Sequence, residues 1–199
     1  MPEQRRGRVI AMSADELTSF LGEQRTCRFA TTGPDGPHVA PVWFVWDGQA
    51  LWVYSLTRSQ RWANLARDPR VAVVVDDGHH YHELRGVEVE GEAVMVGPVP
   101  RTGGEDQPAP ELAEPERLMA AKYFDPAHQA ADGGANLAAD GGPAHQAADG
   151  GPAHQAADTA PGMVHDGRHA WLRITPDKIV SWDFRKLATL PSRSPDPGR

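Results

Sequence analysis

Short apolar runs, each bounded by strong turn residues, dominate the N-terminal half of the chain. Gly33-Pro34-Asp35-Gly36 and Asp47-Gly48 separate successive runs, which is typical of antiparallel strands joined by tight connections. We predict strands over 27–32, 38–46, 51–55, 71–75 and 87–96. Two further apolar runs, 169–175 and 179–184, flank Pro176-Asp177 and predict a closing hairpin.

Three segments have the pattern of short helices. A capping box begins at Ser13, and the apolar face behind it predicts a helix over 13–23. Ser59 is a candidate N-cap for a helix that ends at Asp68-Pro69, and residues 116–124 contain good helix formers. Together with about seven strands, these helices predict an α+β protein built on an antiparallel, barrel-like sheet.

The stretch after Phe124 differs from the rest of the chain. It contains no aromatic residue until Trp171, and it repeats the unit PAHQAADGG between residues 126 and 158. A repeat without a large apolar side chain has nothing to bury when it stacks, so we predict a flexible insertion in place of a solenoid.

The composition narrows the class of protein. The chain has 199 residues and a net charge of −7; this acidic balance argues against wholesale nucleic-acid binding, and the absence of a long apolar run excludes a membrane-spanning helix. Cys27 is the single cysteine, which fits a reducing cytoplasm. No apolar stretch follows the basic start at 1–8, so the sequence predicts no secretory signal.

These patterns divide the chain into five parts. They are a flexible N-terminus at 1–9, a barrel core at 10–96, an acidic, Pro-rich loop with a short helix and the disordered repeat insertion at 97–167, a hairpin that completes the barrel at 168–190, and a disordered tail at 191–199.

The candidate chemistry lies between Tyr54 and Arg61. Hydroxyl side chains end one strand, and Arg58 and Arg61 flank the start of the next helix at Ser59. Backbone N–H groups at a helix start attract anions, and guanidinium groups bind phosphate in a fork. The pattern therefore predicts a phosphate site, although an ordinary N-cap beside surface arginines explains the same residues without a ligand.

Three stretches in fixed order carry a resemblance to a known family. HVAPVWFVWDG, LWVYSLTRSQRWANLARDPRVAVVV and LRGVEVEGEA resemble the pyridoxamine 5'-phosphate oxidase-like split β-barrel superfamily, and in particular its flavin- and deazaflavin (F420)-dependent oxidoreductases. The resemblance covers about residues 10–96, and RHAWLRITPDKIVSWDFRKL is similar to the closing hairpin of that branch. It implies a split barrel, a homodimer, a flavin-type cofactor in the dimer groove, and hydride transfer with a small organic substrate.

The resemblance also assigns cofactor contacts residue by residue. The assigned positions are Val42, Trp43 and Phe44 along the ring system, Tyr54 and Ser55 at the strand end, Ser59 and Arg61 at the phosphate with Arg58 and Gln60 beside them, and Trp182 as an apolar wall. No residue stands out as a general acid or base, although the loop side chains from His80 to His82 are candidates for protonating a product.

The sequence departs from the true pyridoxamine phosphate oxidases. The Arg and Lys that bind the FMN phosphate on their second strand match Val39 and Phe44 here, and their C-terminal Arg-x-His motif is absent. We therefore do not expect a true pyridoxamine phosphate oxidase. The PVWF pattern instead resembles the branch that uses F420, which the resemblance implies as the cofactor, with FMN as the alternative.

A second interpretation comes from haem-binding relatives on the same barrel. In this interpretation the chain is a non-enzymatic or haem-degrading tetrapyrrole-binding protein, which needs an axial ligand such as His.

The histidines do not indicate a metal site. The chain has nine His, of which three belong to the repeat. The spacing of the histidines matches no structural zinc site, so we predict no metal site.

Overall fold

The computed structural model describes residues 7–102, 109–124 and 165–189. The predicted repeat insertion and the predicted tail at 191–199 lie outside these residues, as does most of the predicted flexible N-terminus. Arg8–Ile10 form a single 3₁₀ turn before the first helix. None of the helices in the described ranges is long and apolar enough to cross a membrane.

One antiparallel sheet of seven strands forms the described fold, together with three α-helices. The elements in chain order are α1 (Ala14–Glu23), β1 (Thr26–Gly33), β2 (Gly36–Trp43), β3 (Val45–Trp46), β4 (Leu51–Leu56), α2 (Gln60–Leu65), β5 (Arg70–Asp77), β6 (Arg85–Val96), α3 (Ala113–Tyr123) and β7 (His169–Asp183). The strand order across the sheet is β2-β1-β5-β6-β7-β4-β3. The predicted α+β class with an antiparallel sheet is confirmed.

The first helix begins where its capping box places it. The Ser13 hydroxyl accepts a hydrogen bond from the Glu16 amide (3.2 Å), and the Glu16 carboxylate accepts one from the Ser13 amide (2.7 Å). Both otherwise unpaired amides are therefore satisfied. The apolar face of α1, which comprises Leu17, Phe20 and Leu21, is buried in the main core. The predicted helix over 13–23 is confirmed.

The predicted strand over 38–46 is two strands, with a break at Phe44. The Phe44 amide donates to the Tyr123 hydroxyl (3.0 Å), and the Phe44 carbonyl lies 2.8 Å from the same oxygen. The Tyr123 side chain of α3 therefore contacts both backbone polar groups of Phe44. Phe44 thereby joins β2 and β3, which are consecutive in the chain but lie at opposite edges of the sheet. The sheet must curl to bring these two edges together.

The predicted hairpin over 168–190 is wrong, because residues His169–Asp183 form one continuous strand. Glu90 pairs with Lys178 but Gly91 pairs with Pro176, so Asp177 is an extra residue in a β-bulge. Pro176 has no N–H to place in a ladder, and an irregular position in a strand accommodates such a residue. The Pro-Asp pair therefore bends β7 and does not reverse it.

Helix α3 begins three residues earlier than the sequence predicts. Its third residue is Pro115, a residue that ordinarily ends a helix. A proline in the first turn is tolerated because the N–H groups there have no intrahelical acceptor.

Two apolar clusters lie on the two faces of the sheet. The main core inside the curl contains Phe29, Val53 and Leu172, and it encloses the Cys27 side chain completely. Burial raises the pKa of Cys27 to about 12, so the residue is a thiol. A second cluster, which includes Trp52 and Trp171, lies beneath α3.

The Lys122 amine is held between the two cores without a carboxylate partner among the described residues. Its Nζ donates to the carbonyls of Leu21 (2.9 Å) and Phe44 (3.2 Å) and lies 4.1 Å from the centroid of the Phe44 ring. Burial lowers the pKa of Lys122 to about 8. In the unfolded chain the amine keeps its proton up to the ordinary lysine pKa of about 10. The buried, charged amine therefore lowers the free energy of unfolding by its full amount below about pH 8, and by progressively less as the pH rises above 8.

We therefore expect the wild type to gain stability relative to Lys122→Met as the pH rises from about 7 to about 10, by on the order of 2 kcal/mol. Urea unfolding of both proteins across this range measures the difference, in which groups common to both cancel. Lys178→Met is the control, because the amine of Lys178 is exposed and paired with Glu90. A pH-independent difference for Lys122→Met would show that the amine is not desolvated.

Candidate functional site

The end of β4 leads through a short turn into α2. The Ser59 hydroxyl accepts a hydrogen bond from the Trp62 amide (3.2 Å) and donates to the Leu56 carbonyl (2.8 Å), which confirms Ser59 as the N-cap. The cap turns the chain so that α2 lies against β1. The predicted strand–turn–helix unit is therefore present, although α2 has only six residues.

Arg61 points inward and is only 8% exposed. Its Nε and Nη2 donate to the hydroxyl of the fully buried Ser55 (3.2 and 3.0 Å), and its guanidinium lies 5.7 Å from the centroid of the Phe29 ring. Among the residues that the structure describes, no carboxylate pairs with Arg61. Burial lowers the pKa of the guanidinium, which nevertheless stays charged.

A buried cation without a counter-ion costs several kcal/mol in desolvation, which an anionic ligand can offset. The position of Arg61 next to a hydroxyl and a helix start suits the phosphate group of a flavin-type cofactor. The residues present therefore fit the group that the resemblance implies.

Arg58 and Gln60 lie on either side of Ser59 at the surface. Arg58 is exposed, and its side chain makes no hydrogen bond or ion pair within the described ranges. Gln60 is also exposed and donates to the side-chain oxygen of Asn64 (2.8 Å). The structure thus brings Ser55, Ser59 and Arg61 together and leaves Arg58 at the rim.

Asn64 is a buried member of this site that the sequence analysis missed. Its Nδ2 donates to the Thr31 hydroxyl of β1 (3.0 Å), and a Cβ at Gly33 would lie only 2.6 Å from its Oδ1. Asn64 follows Arg61 by three residues, and residues at this spacing share a helix face. That spacing was the available signal for Asn64, whereas the contact with Thr31 depends on packing between distant segments.

Tyr54 faces the opposite side of β4 from Ser55, as the alternation of side chains along a strand requires. Its ring stacks on that of His169 (centroids 5.0 Å apart), and its hydroxyl lies 3.3 Å from Nδ1 of His165. Burial raises the pKa of Tyr54, and the carboxylates of Asp166 and Glu116 add to the effect. The two hydroxyl side chains predicted to act together therefore belong to different surfaces.

The Tyr54 surface contains a polar cluster that the sequence analysis did not find. Glu116 of α3 accepts hydrogen bonds from Arg101 Nε (2.9 Å) and Trp171 Nε1 (3.3 Å), and its carboxylate lies 3.6 Å from Nε2 of His165. Burial lowers the pKa of His165. These residues come from three separate parts of the chain, so no local pattern connects them.

The three residues assigned to the ring system pack within the protomer. Val42 and Phe44 are buried in the main core, and Trp43 stacks on Tyr123 with ring centroids 4.4 Å apart. The resemblance assigns contacts to the backbone here, and that assignment stays a prediction.

Trp182 lies at the far end of β7. It packs on Gly86, where a Cβ would come within 2.3 Å of its ring. The residue of β7 that pairs with Ser55 is Ala170, twelve positions before Trp182 along the strand. Trp182 itself pairs with Gly86 of β6, and its assignment to the cofactor stays a prediction.

The loop that contains His80 and His82 is exposed, and the two imidazole rings stack on each other with centroids 5.8 Å apart. Over 7–102, 109–124 and 165–189, no group of three or more His, Cys, Asp or Glu side chains is arranged to hold a metal ion.

Comparison with known proteins identifies the architecture. Residues 13–103 match the sequence model of the family described as pyridoxamine 5'-phosphate oxidase. A conserved hypothetical protein from Mycobacterium tuberculosis is 28% identical, with a TM-score of 0.60 and coverage of 97% of this chain and 96% of that chain. No curated protein matches the chain.

Two more distant structures share the fold. A FAD-binding protein from Mesorhizobium loti is 16% identical, with a TM-score of 0.51 and coverage of 86% of this chain and 93% of that chain. The haem storage protein HutZ from Vibrio cholerae is 15% identical, with a TM-score of 0.51 and coverage of 86% and 96%. The predicted split barrel is confirmed.

Proposed function

Because this chain is a split barrel of the pyridoxamine 5'-phosphate oxidase-like superfamily, we propose that it is an oxidoreductase that transfers hydride between the deazaflavin F420 and a small organic substrate. FMN is the alternative cofactor. The observation that carries the proposal is the buried guanidinium of Arg61, which has no carboxylate partner among the described residues and lies at the strand–turn–helix unit that the resemblance assigns to the phosphate.

Arg61 and Ser55 bind the phosphate in this proposal. Ser59 fixes the turn that leads into α2, while Arg58 and Gln60 lie at the rim, where they can contact the more exposed phosphate oxygens. When bound, the cofactor supplies the hydride chemistry. The chain's own residues anchor the phosphate and position the ring, and the apolar side chains around Val42 and Trp43 limit the access of water.

The preference for F420 over FMN is supported by two positions near the edge strand. Val39 is 59% exposed on the outer face of β2, and the Phe44 ring is completely buried. Neither can act as the basic clamp that the true pyridoxamine phosphate oxidases use for FMN.

We propose that the protein acts as a cytoplasmic homodimer whose groove completes the cofactor site, as the resemblance implies. The outer side of the sheet exposes apolar side chains at Val39 of β2 and Val94 of β6, which is consistent with a partner there. Sedimentation velocity should give about twice the chain mass of 21.6 kDa; a monomer would leave the groove without its second wall.

Parallel titration of the purified protein with F420, FMN and haemin tests the proposed function. Fluorescence and absorbance should show micromolar or tighter binding of F420, and a substrate screen with the reduced coenzyme then follows. Preference for FMN would keep the anchors and change the cofactor. A Soret band with haemin, without a response to either flavin, would establish the tetrapyrrole-binding alternative.

A further inference from the structure

His38 lies on the inner face of β2, next to the Arg61 site. It pairs with Thr31 of β1, and paired residues of antiparallel strands place their side chains on the same face of the sheet. Thr31 is buried and accepts a hydrogen bond from Asn64 of α2 (3.0 Å). The imidazole of His38 therefore lies alongside the helix face that presents Asn64 and Arg61.

The Nδ1 atom of His38 is completely buried and has no hydrogen-bond partner within the described ranges. A buried polar nitrogen without a hydrogen-bond partner lowers the stability of the folded chain. Such an atom next to a binding site indicates a partner that arrives with the ligand.

The charges around His38 indicate the sign of that partner. The charged group that faces this region from α2 is Arg61, while β1 contributes the protonated Cys27 thiol and β4 contributes the neutral Ser55. The carboxylate of Asp35 is exposed in the turn between β1 and β2, and that of Asp68 is paired with Arg70 at 2.6 Å. Within the described residues, the guanidinium of Arg61 and Nδ1 of His38 therefore face a region that lacks a negative charge.

We propose that Nδ1 of His38 donates a hydrogen bond to the same phosphate group that Arg61 binds. His38 would thus supply the second-strand donor that neither Val39 nor Phe44 can provide. This inference rests on the proposed function, because the anion is the phosphate of the flavin-type cofactor.

Long-range ¹H–¹⁵N spectra of the imidazole groups in the full chain test the contact directly, with inorganic phosphate as the probe. The His38 signal is assigned as the one missing from His38→Gln. Addition of phosphate should shift the Nδ1 resonance of His38 in the wild type. The shift should disappear in Arg61→Met, because the anion then loses its main anchor.

Affinity measurements add a second readout. His38→Leu should weaken binding of F420 or FMN about tenfold, the loss expected for one charge-assisted hydrogen bond, and should not change binding of phosphate-free riboflavin. His82→Leu is the matched control, since His82 lies in an exposed loop. If His38→Leu fails to fold, His38→Gln carries the comparison, because glutamine keeps a polar side chain at the position.

The outcomes separate this inference from the function on which it rests. Suppose that cofactor binding depends on Arg61, but that phosphate does not shift the His38 resonance and His38→Leu binds the cofactor as tightly as the wild type. This result would overturn the role of His38 and leave the proposed function in place. A phosphate-dependent His38 shift without binding of F420 or FMN would overturn the proposed function alone. Absence of both responses would overturn both.

Discussion

Replacement of Arg61 by methionine should weaken cofactor binding by about 10- to 100-fold, because a charge-assisted hydrogen bond to phosphate contributes about 1.5–3 kcal/mol. The stability of the unliganded protein should change by less than about 1 kcal/mol. The variant loses the hydrogen bonds to Ser55, but it also loses the cost of burying an unpaired cation, and these effects oppose each other. Fluorescence titration and urea unfolding measure the two quantities separately.

Arg67→Met is the control for this experiment. Arg67 lies just beyond the end of α2 and is exposed, so its replacement removes the same charge from the same region without touching the site. Equal affinities for the wild type and Arg61→Met would remove the assigned phosphate site. A large loss of unliganded stability would instead identify Arg61 as a structural residue.

Gly91→Ala should destabilise the fold by about 3 kcal/mol, at the upper end of overpacking effects. A Cβ at this position would lie 2.1 Å from the Thr175 carbonyl oxygen and 3.2 Å from Cα of Pro176. Both neighbours are backbone atoms of the β7 bulge, so they cannot rotate away. Thermal unfolding should show a midpoint about 6–12 °C below that of the wild type.

Gly22→Ala provides the opposite result with the same chemical change. Gly22 lies within α1, and a Cβ there would meet no atom within 4 Å. The variant should gain about 0.5–1 kcal/mol because alanine favours the helix. A Gly91→Ala protein as stable as the wild type would contradict the close approach of the β7 bulge to Gly91.

Local patterns were sufficient to predict most of the fold. The capping box at Ser13 and the N-cap at Ser59 act through atoms within three residues, so the sequence alone specifies them. The hairpin at Pro176-Asp177 was predicted from an equally local signal and was wrong. Whether the chain turns or continues at Pro176-Asp177 depends on the register in which β7 pairs with β6, and the sequence of β7 alone does not specify that register.

The candidate site divides in the same way. The unit from Ser55 to Arg61 was predicted because its residues are close in sequence. The inward direction of Arg61 was not predicted, since it depends on the Ser55 hydroxyl behind the helix. The pairing of His38 with Thr31 and the contact of Thr31 with Asn64 join three distant segments, and only the folded sheet brings them together.

The position of β7 has a consequence for the order in which the protein can fold during synthesis. Among the strands that the structure describes, β7 comes last in the chain and lies between β6 and β4, so within this sheet the pair formed by β3 and β4 has no hydrogen-bonded link to the other strands until β7 arrives. A nascent chain that has not yet emerged past Asp183 must keep the apolar surfaces of both halves exposed or covered by other molecules. Sheets that depend on such long-range pairing fold slowly. Co-translational chaperone binding should therefore matter most for this protein in the interval before β7 leaves the ribosome.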